Sequence, residues 1–162
     1  MRHILSGSQF GQSDLDKILA SATKMEKQCK SGKVKKVLAD KIVACMFFEP
    51  STRTRLSFES AALRLGAGVI STENGAENSS AHKGETIEDT TKMVNGYADL
   101  IAMRHFESGA AERAAKVSRV PVINAGDGPN QHPTQAILDL YTIKKEQGRL
   151  EDLTIAFVGD LK

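Results

Sequence analysis

Apolar positions along the chain follow two patterns that take turns. The first is helical. Leu15, Ile18, Leu19 and Ala22 recur at three- and four-residue intervals behind Ser13-Asp14-Leu15-Asp16, which has the form of a capping box. This spacing predicts a helix that starts near Ser13 and ends at Gly32. The second is an unbroken apolar run, Ile42-Val43-Ala44-Cys45-Met46-Phe47-Phe48, which suits a strand buried on both faces of a parallel sheet. A helix is expected at once after it. Ser51 is its N-cap, Phe58, Ala61, Ala62 and Leu65 its buried stripe, and Gly66 its stop. Residues 69–72 read as a short second strand. The polar stretch 73–84 is long for a connection inside a compact domain, and such loops are usually functional or disordered. Ile87, Thr90, Thr91 and Val94 then share one helical face. A third strand is expected at 98–103, an Ala-rich helix at about 109–117 and a fourth strand at 120–124. The Gly-rich stretch 125–130 reads as a turn into a helix that opens at His132-Pro133, where proline suits the first helical position, and closes at Gly148. Residues 154–158 read as one further strand. The alternation predicts an α/β fold, an open parallel sheet of about four strands with helices on both faces. The first domain is expected to span 1–150, with 151–162 the first strand of another, otherwise absent, domain.

Composition narrows the class. The 162 residues carry 22 Lys+Arg against 20 Asp+Glu, a net charge of +2, with 26% charged and 40% hydrophobic residues. That is the make-up of a soluble globular protein and argues against a disordered chain. A balance so near zero does not imply nucleic acid or a membrane surface as partner. The longest apolar run falls far short of the roughly 20 residues a membrane span needs. Met1-Arg2-His3-Ile4 lacks the apolar core of a signal peptide. Cys29 and Cys45 are the only cysteines, so no disulfide framework is expected, and neither has metal-ligand spacing. We expect a cytoplasmic protein with free thiols.

Chemistry concentrates at Phe48-Glu49-Pro50-Ser51-Thr52-Arg53-Thr54-Arg55, where the buried strand becomes a helix. In an open parallel sheet ligands bind at that edge. A helix start supplies unpaired N–H groups and a positive dipole end. Ser51, Thr52 and Thr54 add hydroxyls, and Arg53 adds a fork of donors. Together they describe an anion cradle, most naturally for phosphate. No Walker loop and no dinucleotide fingerprint occur, so no cofactor is expected. Arg104 follows the third strand and His132 and Gln135 open the last helix, so Arg53, Arg104 and His132 should meet in one crevice. The plainer assignments are that Ser51 only caps, that Arg55 pairs with Glu59, and that His132 and Gln135 form a capping box. Lys83 alone reads as a solvated loop charge. A crevice with two arginines and a histidine but no evident base would work by positioning a doubly negative ligand and stabilising charge on oxygen.

These motifs resemble the carbamoyltransferases. Phe48-Glu49-Pro50-Ser51-Thr52-Arg53-Thr54-Arg55 and His132-Pro133-Thr134-Gln135 carry the resemblance. Lys83-Gly84-Glu85-Thr86, Met103-Arg104-His105, Asn124-Ala125-Gly126-Asp127-Gly128 and Val158-Gly159-Asp160-Leu161-Lys162 look like the aspartate branch rather than the ornithine branch. The resemblance implies transfer of a carbamoyl group from carbamoyl phosphate to the amine of L-aspartate, in pyrimidine synthesis, with 1–150 as the carbamoyl-phosphate-binding domain. It implies that Ser51, Thr52, Arg53 and Thr54 hold the phosphate, and that Arg104 contacts both phosphate and carbonyl oxygen. Thr54 and His132 would polarise that carbonyl, and Gln135 would bind the carbamoyl amino group. Ser79 and Lys83 match residues delivered into a neighbouring subunit's site, which implies a homotrimer with shared sites. Whether regulatory chains attach stays open. His82 stands where better-studied bacterial members have a second basic residue. Glu49 resembles a residue that locks two domains together. Family catalytic chains are about twice this length, so this chain is expected to be inactive alone. A truncated binding or assembly module, or an ornithine carbamoyltransferase, are the alternatives.

Overall fold

The computed structural model describes residues 3–73 and 84–159. Four strands form one parallel sheet: β1 (Ile42–Phe47), β2 (Gly68–Thr72), β3 (Leu100–His105) and β4 (Val122–Asp127), in the order β2-β1-β3-β4. Among the described residues five α-helices accompany them: α1 (Gln12–Lys30), α2 (Thr52–Arg64), α3 (Ile87–Val94), α4 (Ala110–Val117) and α5 (Pro133–Gln147).

The unbroken apolar run of β1 is explained by its position. Ala44, Met46 and Phe48 face a core shared with Ile87, Val94, Ala114 and Val122, on the side of α3 and α4. Val43, Cys45 and Phe47 face the opposite core, with Ala62, Ala67, Ala102 and Ala125. Both sides of the strand are therefore dry, as a central parallel strand requires. The face expected for α3 is the buried one: Ile87, Thr90, Thr91 and Val94 are all inside, and Thr91 Oγ1 donates to the Ile87 carbonyl at 2.6 Å. Thr86 caps this helix by accepting from the Asp89 N–H.

Several boundaries differ from the sequence expectation. The first helix begins at Gln12, because the Gly11 carbonyl accepts from the N–H groups of both Asp14 and Leu15; Ser13 sits inside the helix and caps nothing. The capping box lies earlier, where Ser6 and Gln9 close the short 3-10 turn Gly7–Gln9. The fourth strand runs on to Asp127. Met103 pairs with Asn124 and His105 with Asp127, so Ala125 and Gly126 together oppose Arg104 in a β-bulge. Gly126 takes φ +118°, open to glycine and strained for other residues. Ile4 adds a parallel bridge to Ile123 on the outer edge of β4. Residues 153–158 form no strand and are mostly exposed; a strand needs a neighbour to satisfy its backbone, and none pairs with this stretch among the described residues.

The strand order positions the site. From β1 the chain moves outward to β2, whereas from β3 it moves outward to β4 on the other side. The loops after β1 and β3 therefore diverge and leave a crevice between their carboxyl ends.

Candidate active site

A cleft of about 960 Å³ opens at that crevice, walled by the start of α2 on one side and the start of α5 on the other. Ser51, Thr52, Arg53, Thr54, Arg104, His132 and Gln135 all line it. The three strand-to-helix junctions singled out in the sequence thus meet in one place. Ser79 and Lys83 lie outside the described residues, as does His82.

The start of α2 is built to receive an anion rather than to satisfy itself. Its first backbone bond runs from the Arg55 N–H to the Ser51 carbonyl, so the N–H groups of Thr52, Arg53 and Thr54 have no intrahelical acceptor. Ser51 occupies the N-cap position without a side-chain capping bond, which removes the plain capping assignment. The first turn holds no acidic residue and does hold Arg53. Positive charge at a positive dipole end is unfavourable until an anion arrives. Arg53 is exposed and has no ion-pair partner among the described residues. Arg55 is different: it pairs with Glu59 at 3.4 Å and Glu73 at 2.8 Å, so its charge is already met.

Arg104 is held from two sides. Nη1 donates to the Ala125 carbonyl at 3.3 Å, and Nη2 to Glu49 Oε1 at 3.2 Å, while Nε and the second Glu49 oxygen are buried without partners. The bulge creates the space: a Cβ on Gly126 would lie 2.6 Å from Arg104 Nη1 and 3.4 Å from His132 Cδ2. Arg104 is therefore the next-to-last residue of β3 rather than beyond it, and the bulge across from it aims it into the cleft.

His132 caps α5 through Nδ1, which accepts from the Gln135 N–H at 3.4 Å. An accepting Nδ1 places the proton of a neutral imidazole on Nε2, leaving a donor for the ligand. Burial, and then the charge of Arg104, push the His132 pKa below its ordinary value, so the neutral form dominates at pH 7. Only half of the expected capping box forms. The Gln135 amide does not reach back but donates forward to Asp139 at 3.0 Å.

Sequence reasoning missed the supports. Glu49 as the partner of Arg104, the Gly126 bulge, and the buried Asn124 and Asp127 behind it have no signature beyond a stretch that reads as a turn. Ser57, Phe58 and Leu138 extend the cleft along the two helices. No carboxylate lines it among the described residues, and no group of three or more His, Cys, Asp or Glu there could hold a metal ion. Among the described residues no helix is long and apolar enough to cross a membrane. The arrangement can bind a small dianion and donate hydrogen bonds to a neighbouring carbonyl.

Comparison with known proteins points the same way. Residues 2–145 match the sequence model of the family described as aspartate/ornithine carbamoyltransferase, carbamoyl-P binding domain. The chloroplastic aspartate carbamoyltransferase of Arabidopsis thaliana is 56% identical over 158 residues, 98% of this chain and 40% of that protein. The aspartate carbamoyltransferase catalytic subunit of Methanocaldococcus jannaschii is 52% identical over 162 residues, all of this chain and 53% of that one. Among solved structures, aspartate transcarbamoylase from Trypanosoma cruzi in complex with carbamoyl phosphate and aspartate superposes with a TM-score of 0.92 at 40% identity, over 99% of this chain and 53% of that one. The chain spans about half the length of these relatives, or less.

Proposed function

Because the chain belongs to the aspartate/ornithine carbamoyltransferase family and matches its carbamoyl-phosphate-binding domain, we propose that it is the carbamoyl-phosphate half of an aspartate carbamoyltransferase acting in pyrimidine biosynthesis. The observation that carries this reading is the meeting of Arg53, Arg104, His132 and the unsatisfied start of α2 in one cleft. Relatives more than half identical to this chain bear the aspartate name, which favours aspartate over ornithine as acceptor.

In this reading the N–H groups and hydroxyls of Ser51, Thr52 and Thr54, with Arg53, hold the phosphate. Arg104 spans the phosphate and the carbonyl oxygen, and Thr54 and His132 Nε2 donate to that oxygen. Gln135 binds the carbamoyl amino group by accepting from it through Oε1, while its Nε2 keeps the bond to Asp139. The aspartate amine attacks the carbonyl carbon, a C–N bond forms, and negative charge builds on oxygen. Donors already in place lower that barrier, and loss of one typically costs about 10²–10³ in rate. The C–O bond to phosphate then breaks. With no carboxylate lining the cleft among the described residues, the departing phosphate is the base at hand for the amine's proton.

Residues 1–150 form the carbamoyl-phosphate domain and 151–162 lead into an aspartate-binding domain, a division that the coding sequence beyond Lys162 tests. Ser79 and Lys83 complete the site of a neighbouring subunit in a homotrimer, which a mass measurement in solution, with and without phosphate, tests. Two unbridged thiols suit a reducing compartment, taken to be the cytoplasm. The direct experiment is calorimetric titration of the chain with phosphonoacetamide, a hydrolysis-resistant amide analogue of carbamoyl phosphate. Saturable binding that Arg53→Ala weakens by about tenfold or more is expected. Equal binding by both proteins refutes the reading. The chain alone should form no carbamoyl-aspartate.

A further inference from the structure

Two of the three donors assigned to the carbonyl oxygen, Arg104 and His132, stand on different segments, and one buried side chain ties those segments together. Asp127, the last residue of β4, is 1% exposed. Its Oδ1 accepts from Asn124 Nδ2 and from the Gln131 N–H, both at 2.9 Å. Its Oδ2 accepts from the Gly109 N–H at 2.8 Å and from Asn130 Nδ2 at 3.0 Å. Burial pushes this carboxyl up, but the four hydrogen bonds outweigh it and hold the pKa below the usual aspartate value.

We propose that Asp127 is a positioning residue, whose carboxylate clamps the loop before His132 to the segment after Arg104 and so fixes the separation of the two donors. The proposal rests on the reading of the cleft as a carbamoyl-phosphate site. Gln131 immediately precedes His132, and the Asp127 N–H donates back to the Gln131 carbonyl at 3.1 Å, closing 127–131 into a ring of bonds. Gly109 opens α4, on the segment that leaves β3 beyond Arg104. The Gly128 N–H donates to the His105 carbonyl at 2.8 Å, a second tie between the same two segments. Asn124 is shared: its Nδ2 donates to Asp127, while its Oδ1 accepts from the Gly126 N–H at 2.8 Å and so shapes the bulge under Arg104. Gly128, Pro129 and Asn130 are exposed, so packing does not fix this loop. Hydrogen bonds hold it instead, and four of them end on the Asp127 carboxylate.

Asp127→Asn tests the idea with almost no change of shape, because it replaces an acceptor oxygen by an amide group that faces N–H donors. Three readouts are taken on the folded chain: affinity for phosphonoacetamide, affinity for inorganic phosphate, and the ring ¹⁵N shifts of His132 by NMR. In the unaltered chain those shifts should report an accepting Nδ1 and a protonated Nε2. In Asp127→Asn, phosphonoacetamide affinity should fall by about tenfold or more, inorganic phosphate by less than about threefold, and the ring shifts should average. Phosphate loses less because Arg53 and the start of α2, which Asp127 does not touch, supply most of its contacts, with Arg104 only one among them. Asn130→Ala removes a single donor from an exposed residue and should move all three readouts the same way by less; it decides the matter if Asp127→Asn does not fold. A folded variant with unchanged affinities and ring shifts overturns the proposal. So does an equal loss of both ligands with unchanged ring shifts, which would mean a merely structural role. If the unaltered chain binds neither ligand, the functional reading fails, and the His132 signature alone then decides the positioning role.

Discussion

Gly126→Ala isolates what the bulge does. The added Cβ would sit 2.6 Å from Arg104 Nη1 and 3.2 Å from its Cζ. Ordinary contact requires the guanidinium to retreat by roughly 0.8 Å. Because the colliding atoms are the far end of a flexible side chain, the clash is relieved by swinging Arg104 away, and folding bears mainly the backbone strain at φ +118°. That strain is about 1–3 kcal/mol. Binding bears the rest. Losing one charge-assisted hydrogen bond costs about 1.5–3 kcal/mol, which is about 10- to 150-fold in affinity. Titration with phosphonoacetamide measures the affinity and thermal unfolding measures the strain. Gly148→Ala is the control: its φ is +72° and nothing lies within 4 Å of the added carbon. It closes α5 away from the cleft, so it should lower stability by about 1 kcal/mol and leave binding alone. If Gly126→Ala binds phosphonoacetamide within about twofold of the unaltered chain, Arg104 is not held in place by the bulge and the steric reasoning is wrong.

Arg53→Ala should abolish detectable turnover in an assembled enzyme that contains this domain, read as carbamoyl-aspartate formed; near-normal turnover would remove Arg53 from the phosphate site. Stability should erode as pH falls below about 6.5, because burial pushes the pKa of both His105 and His132 down and the unfolded chain then binds protons that the folded chain refuses. Urea midpoints at neutral pH and near pH 5.5 check this, and equal midpoints would contradict it. Iodoacetamide at neutral pH should label the exposed Cys29 and spare Cys45, whose buried thiol is pushed up to about 11; peptide mass mapping reads the result. Phe47→Ala should cost about 3–5 kcal/mol by calorimetry or urea unfolding, since that ring is wholly inside the sheet's α2 face.

What the sequence revealed depended on how local the cause was. The double burial of β1, the inner face of α3 and the proline start of α5 follow from side-chain type and spacing within a few residues, and each stands where expected. So does the cleft, because strand-to-helix junctions of a parallel sheet share one edge. The start of α1 falls within a residue of Ser13, but its capping did not follow, since Gly11 is the N-cap and no side chain caps the helix. The bulge at Ala125-Gly126 was hidden because glycine marks turns and bulges alike, and only the pairing with β3 tells them apart. Glu49 and Asp127 act across gaps of 55 and 18 residues, on Arg104 and Gly109. No periodicity within a single element encodes such contacts.

The bridge from Ile4 to Ile123 has a practical corollary for anyone making this protein. The Ile4 N–H donates to the Val122 carbonyl at 2.8 Å, its carbonyl accepts from the Asn124 N–H at 2.7 Å, and the turn behind it hands Ser6 and Gly7 to Gln131. A purification handle or a trimmed leader that pulls this strap loose would bare the outer margin of the sheet, inviting stray strand pairing. It would also release Gln131, beside His132, at the mouth of the cleft. A fusion intended to leave both untouched needs a spacer long enough to let residues 3–9 lie flat.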